Sequence, residues 1–168
     1  MARRGDELSI LMKRLSHQGR VYVRSGLLPP TSGGESGVVA AVAAEVHTLF
    51  RQLYRKDWQH NAADSTGPAP VQQVEEALDA IDAERATSLL GRLASRCLVW
   101  SDVAFMDPAE ADAVAGQVVE LLGAEAQWWS NCDSDSDSLT DISGCTFESL
   151  VAGTDGRRFA VLIQVGED

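Results

Sequence analysis

Between Arg96 and Arg157 the sequence has no lysine, arginine or histidine, while the same stretch holds twelve carboxylates. Acidic folds ordinarily intersperse the two signs, because unscreened like charge works against the compact state. A one-signed stretch of this length either stays solvated or meets something positive. Long apolar runs are also missing. No segment approaches the roughly 20 residues needed to span a bilayer, and Leu8-Ser-Ile-Leu-Met-Lys-Arg14 is too short and interrupted for a secretion-signal core. Cysteine is scarce: Cys97, Cys132 and Cys145 form an odd set without a close pair, which argues against a disulfide framework. The resulting expectation is a reduced, cytoplasmic protein that does not enter membranes. Arginine outnumbers lysine twelve to two, and alanine is abundant, an association with GC-rich bacterial coding.

Motifs of catalysis and cofactor binding are absent in the same way. Neither Lys13 nor Lys56 follows a glycine, which excludes a phosphate-binding loop. Gly34-Glu-Ser-Gly-Val38 fails a nucleophile elbow at its fifth position. Gly33, Gly34 and Gly37 do not form a dinucleotide fingerprint. The cysteines and His17, His47 and His60 lack zinc spacing. The expectation is therefore no catalytic residue, no metal and no cofactor.

What is present is patterned for a core. The chain has 168 residues, 45% of them hydrophobic, enough for one domain of ordinary size. Leu8, Leu11, Met12 and Leu15 mark a helix over residues 6–18 that closes near Gly19. Residues 20–24 alternate and suit strand or helix. A breaker-rich loop at 27–37 precedes a long helix from Val38, with Val39, Val42, Val46, Leu49, Phe50 and Leu53 inside and Glu45 and Gln52 toward water. Residues 61–70 read as a linker and a possible sub-boundary within the single domain. Val71, Val74, Leu78 and Ile81, then Ala86 to Leu98 after a bend near Asp82, predict two antiparallel helices. Asp107-Pro108-Ala109-Glu110 is a strong helix start, and Gly123 a stop.

The period then changes to two. Gln127–Ser130 predicts a strand, and residues 145–165 predict a hairpin turning at Thr154-Asp155-Gly156. Phe159, Val161, Ile163 and Val165 share one face, while Ala160 and Leu162 make the other face apolar too, as in a central strand covered on both sides. The fold class expected is α+β: four to five helices in the N-terminal portion, followed by a C-terminal antiparallel sheet of about three strands.

Charge frames the functional expectation. Residues 1–60 carry nine basic and five acidic groups; residues 61–168 carry five basic and twenty acidic ones, within a net charge of −11. Such a body repels nucleic acid and anionic lipid and attracts basic protein. Asp133, Asp135 and Asp137 have the first spacings of a calcium loop, but Ser138 and Gly144 stand where glycine and a bidentate carboxylate are required. The tract reads instead as a solvated acidic loop. Adjacent Trp128 and Trp129 project to opposite faces of a strand, so one fills the core, and the other either sits on the surface as an anchor or is covered by a helix packed over it. The partner-binding set expected is Trp128, Trp129, Asp133, Asp135, Asp137, Asp141 and Glu148. The leading expectation is a non-catalytic inhibitor that occludes a basic protein such as a nuclease-type toxin, as immunity, antitoxin and anti-restriction proteins do. The alternative is a structural or adaptor subunit, with homo-oligomers included. A third is an enzyme or small-molecule binder whose site no motif reveals.

Overall fold

Ala160 and Leu162 are buried on one side of a strand whose Phe159, Val161 and Ile163 are buried on the other. That strand is β5 (Arg158–Gly166), and in the computed structural model it lies between two neighbours and is covered on both faces. The structure describes residues 4–30, 34–56, 70–97, 100, 102–131 and 147–166. Within them are five helices, α1 (Arg4–Leu15), α2 (Gly34–Lys56), α3 (Val71–Ala77), α4 (Ala83–Ser95) and α5 (Pro108–Leu122). Four further strands, β1 (Val21–Leu27), β2 (Asp79–Ile81), β3 (Gln127–Ser130) and β4 (Phe147–Thr154), complete an antiparallel sheet in the order β1-β5-β4-β3-β2. No helix among the described residues is long and apolar enough to cross a membrane.

The α+β class expected from the sequence is the class observed. The sheet has five strands where about three were expected, because β1 and β2 come from the helical half and take its two edges. Helices cover both faces. α2 and α3 pack over Trp129, Leu150, Ala152, Phe159, Val161 and Ile163. α1, α4 and α5 pack over Val21, Trp128, Val151, Ala160 and Leu162. Elements from both sides of the 61–70 linker share each of these cores, and residues 61–69 themselves lie outside the described ones.

One local reading is corrected. Residues 71–95 do not form two antiparallel helices: α3 stops at Ala77, Leu78 turns extended (φ −87°, ψ 115°), and β2 pairs Asp79–Ile81 with Ser130–Trp128. The strand carries the chain from one face of the sheet to the other, so α3 and α4 belong to different cores. Leu78 and Ile81 are three apart and mimic a helical repeat, and three residues are too few to display alternation. The bend near Asp82 is real, since Asp82 is the N-cap of α4 and its Oδ1 accepts from the Arg85 N–H at 2.7 Å.

The hairpin turns where expected. Thr154 pairs with Phe159, Gly156 has φ +94°, and Thr154 Oγ1 donates to the Arg158 carbonyl at 2.6 Å. Asp107 and Pro108 open α5 and Gly123 closes it.

Candidate functional site

Gln164 fixes where the loop after α4 lies. Its side chain is buried, and Nε2 donates to the carbonyls of Leu93 and Arg96 at 2.7 Å each. The C-terminal end of α4 is thereby tied to the end of the sheet where Gln164 pairs with Val21 and Ser149. The chain then folds back on itself: Cys97 N–H donates to Val103 O at 3.0 Å, Val103 N–H to Trp100 O at 2.9 Å, and Phe105 N–H to Ser95 O at 2.7 Å. These bonds close a loop that ends at the Asp107 cap of α5. The Phe105 ring stacks on His17 with centroids 4.5 Å apart, which anchors the loop to the turn between α1 and β1.

On this closed loop Trp100 is 60% exposed and Val103 is 47% exposed. An indole left in water beside a second apolar side chain is costly unless something covers it, and large aromatics in such positions commonly anchor interfaces. Asp102 and Asp107 are exposed on the same loop.

The acidic tract leaves from this same end of the sheet. β3 ends at Ser130, and the following Asn131 is buried, with its Oδ1 accepting from the Leu150 N–H at 3.0 Å. Ser130 pairs with Asp79 at the start of β2, and Asp79 is exposed, as is Glu76 before it. Neither takes part in an ion pair among the described residues. Asp133, Asp135, Asp137 and Asp141 lie outside the described residues, as do Cys132 and Cys145. Glu148 is on β4 opposite Val165.

The two tryptophans of β3 do project to opposite faces, but neither is a surface anchor. Trp128 is 2% exposed under α4 and α5, and Trp129 is 5% exposed under α2 and α3. Of the two readings for the second tryptophan, the helix packed over it is the one observed, and the surface anchor fails, because β3 is covered by helices on both faces. Trp128 lies flat against Gly153, whose missing side chain makes room for the ring. Among the described residues the exposed tryptophan is Trp100, which periodicity passes over. Its signal was positional: a large aromatic in the short connection between the α4 stripe and the Asp107-Pro108 helix start.

Among the described residues little else resembles a reactive centre. A shallow groove of about 670 Å³ runs between α1, the end of α5 and the β4–β5 turn, lined in part by Ile10, Leu121, Asp155 and Arg158. Its lining includes no serine, cysteine, histidine or lysine. Arg158 is committed to Asp155 Oδ2 and to the Leu121 carbonyl, at 2.8 and 2.9 Å. Cys97 is a free, buried thiol whose Sγ accepts from the Trp100 N–H at 3.4 Å. The ring of His47 is held below its ordinary value by burial and by Arg51 beside it. Among the described residues no three His, Cys, Asp or Glu side chains gather as metal ligands.

Protein-family models, curated proteins and solved structures contain no match to this chain.

Proposed function

We propose that the protein is a non-catalytic binding protein that occludes a basic protein partner, in the manner of immunity, antitoxin or anti-restriction inhibitors. The observation that carries the reading is that the exposed Trp100 and the end of β3, from which the chain continues into the Asp133–Asp141 tract, lie at the same end of the sheet. An aromatic anchor lowers the dissociation rate once it is desolvated, while clustered carboxylates within the roughly 8 Å screening length speed encounter with a cationic surface. The set proposed for partner binding is accordingly Trp100 and Val103 together with Asp133, Asp135, Asp137 and Asp141. A target that handles nucleic acid is the fitting class, because such enzymes hold basic surfaces that an acidic protein can cover.

Capture of host proteins on the immobilised chain at low salt, followed by elution in rising salt, provides the test. A single basic protein released as salt rises, and retained less by a variant with Asp133, Asp135, Asp137 and Asp141 all changed to Asn, is the expected result. Equal affinity and salt slope for that variant and for Trp100→Ala would refute the reading. The rival, a subunit of a larger assembly held by apolar contact, predicts retention that persists at high salt.

A further inference from the structure

Among the described residues the outer rim of β1 is the long edge of the sheet, and its hydrogen-bonding groups have a definite direction. Leu28 N–H donates to Arg157 O at 2.8 Å and Val165 N–H to Arg20 O at 3.2 Å, bracketing the β1–β5 register. In an antiparallel ladder only alternate residues exchange bonds with a given neighbour. The even-numbered residues of β1 therefore bond to β5, and the odd-numbered ones aim their N–H and C=O away from the sheet. Val21 confirms the parity, since its outward groups exchange bonds with His17 at 2.8 and 3.0 Å. Among the described residues the outward N–H and C=O groups of Val23, Ser25 and Leu27 have no partner.

Edge strands are ordinarily blunted by proline, lysine, a bulge or an inward charge. From Val23 to Leu27 there is no proline, lysine or bulge, and Pro29 and Pro30 come only after the strand, so the inward charge of Arg24 is the only such device in the segment. Arg24 is turned to the α2 face, where Glu45 neutralises it at 2.8 Å. Leu27 is an apolar side chain 75% exposed at this rim.

We infer that β1 pairs with β1 of a second copy of this chain, antiparallel about a two-fold axis through Ser25. The inference stands apart from the inhibitor reading. The segment is self-complementary in this register. Ser25 faces Ser25, and Val23 faces Leu27 in both directions, so each of these pairs exchanges two backbone bonds and every outward amide from Val23 to Leu27 is used. Val23 and Leu27 then share one face, and the exposed leucine gains an apolar cover. Arg24 falls opposite Gly26, so no two cations meet. The opposite edge is unsuited to the same use, because Asp79 on β2, with Glu76 and Asp82 beside it, would face its own charge. Two five-stranded sheets become one continuous sheet with its acidic edges at the two extremes.

Sedimentation equilibrium across a concentration series, joined to amide exchange, tests this. The wild type is expected to dimerise, with the Val23, Ser25 and Leu27 amides gaining protection as the dimer fills. Ser25→Pro removes the two central donors without touching the β5 ladder, and Leu27→Lys adds a charge to the rim. Each should raise the dissociation constant at least about tenfold. A wild type that stays monomeric to its solubility limit overturns the inference. So does a dimer in which those three amides exchange at monomer rates, whatever the variants do.

Discussion

Arg24 Nε donates to Glu45 Oε2 at 2.8 Å, and the same guanidinium lies over the Phe159 ring, 5.8 Å from its centroid. One cation thus joins edge strand β1 to helix α2 above it and to the neighbouring strand β5. Both partners are largely shielded, with side chains 32% and 16% exposed, so the pair escapes much of the screening that makes surface ion pairs weak. A double-mutant cycle with Arg24→Met and Glu45→Gln should return a coupling of about 1 kcal/mol. Chemical denaturation of the four proteins measures it, and additive losses would show that the contact contributes nothing.

The β3 tryptophans and the loop tryptophan should behave in opposite ways. Trp129→Ala empties a site under α2 and α3 and should cost about 3–5 kcal/mol. Trp100→Ala should change stability by no more than about 0.5 kcal/mol, because most of that side chain is already in water. Thermal melts of the two variants distinguish a core residue from an anchor awaiting a partner.

Gly153 and Gly156 are required for different reasons. A Cβ on Gly153 would collide with the Trp128 ring, so Gly153→Ala should cost about 1–3 kcal/mol through a displaced indole, visible in tryptophan fluorescence. Gly156 has open space around it but φ +94°, so Gly156→Val should cost about 1 kcal/mol or more through backbone strain alone and leave that fluorescence unchanged.

Asp155 should make the hairpin sensitive to acid. Burial pushes its carboxyl up, but the backbone N–H groups of Arg158 and Arg157 and the Arg158 guanidinium outweigh that, leaving it below the ordinary 3.8. A carboxyl lowered in the folded state stabilises fully above its unfolded value, and that stabilisation fades as pH falls through the folded value. Asp155→Asn should therefore lower stability at neutral pH, and its deficit should shrink below about pH 4. Melting curves from pH 7 to pH 2 show whether the two proteins converge.

The parts of the fold that were legible in the sequence are those where one periodicity runs long enough to be counted. The α2 stripe from Val39 to Leu53, the α5 start at Asp107-Pro108 and the two-sided apolar pattern of β5 each express a local rule that packing reinforces. β2 was hidden because its three residues are a strand only by virtue of β3 beside them. Whether Trp129 is buried or exposed stayed undecided in the sequence for a similar reason. Alternation places two adjacent side chains on opposite faces, but says nothing of how many faces a helix covers. Glu45 looked like a solvent-facing residue because its partner Arg24 is twenty-one positions away on another element. Trp100 owes its exposure to a loop closed by backbone bonds, which leave no trace in side-chain pattern.

The pairing of β1 with β5 has a consequence for how the molecule is made. On a ribosome, the segment Val21–Leu27 is made well before its only strand partner among the described residues, β5, because three other strands and four helices lie between them in the chain. Val21 and Leu15 cannot complete their core until Ala160 and Leu162 have arrived. Closing so wide a loop is a slow, non-local step, and until it happens the amides of β1 are open on both sides instead of one. Translation, rather than the stability of any helix, therefore sets the moment at which the nascent chain ceases to be vulnerable to its neighbours.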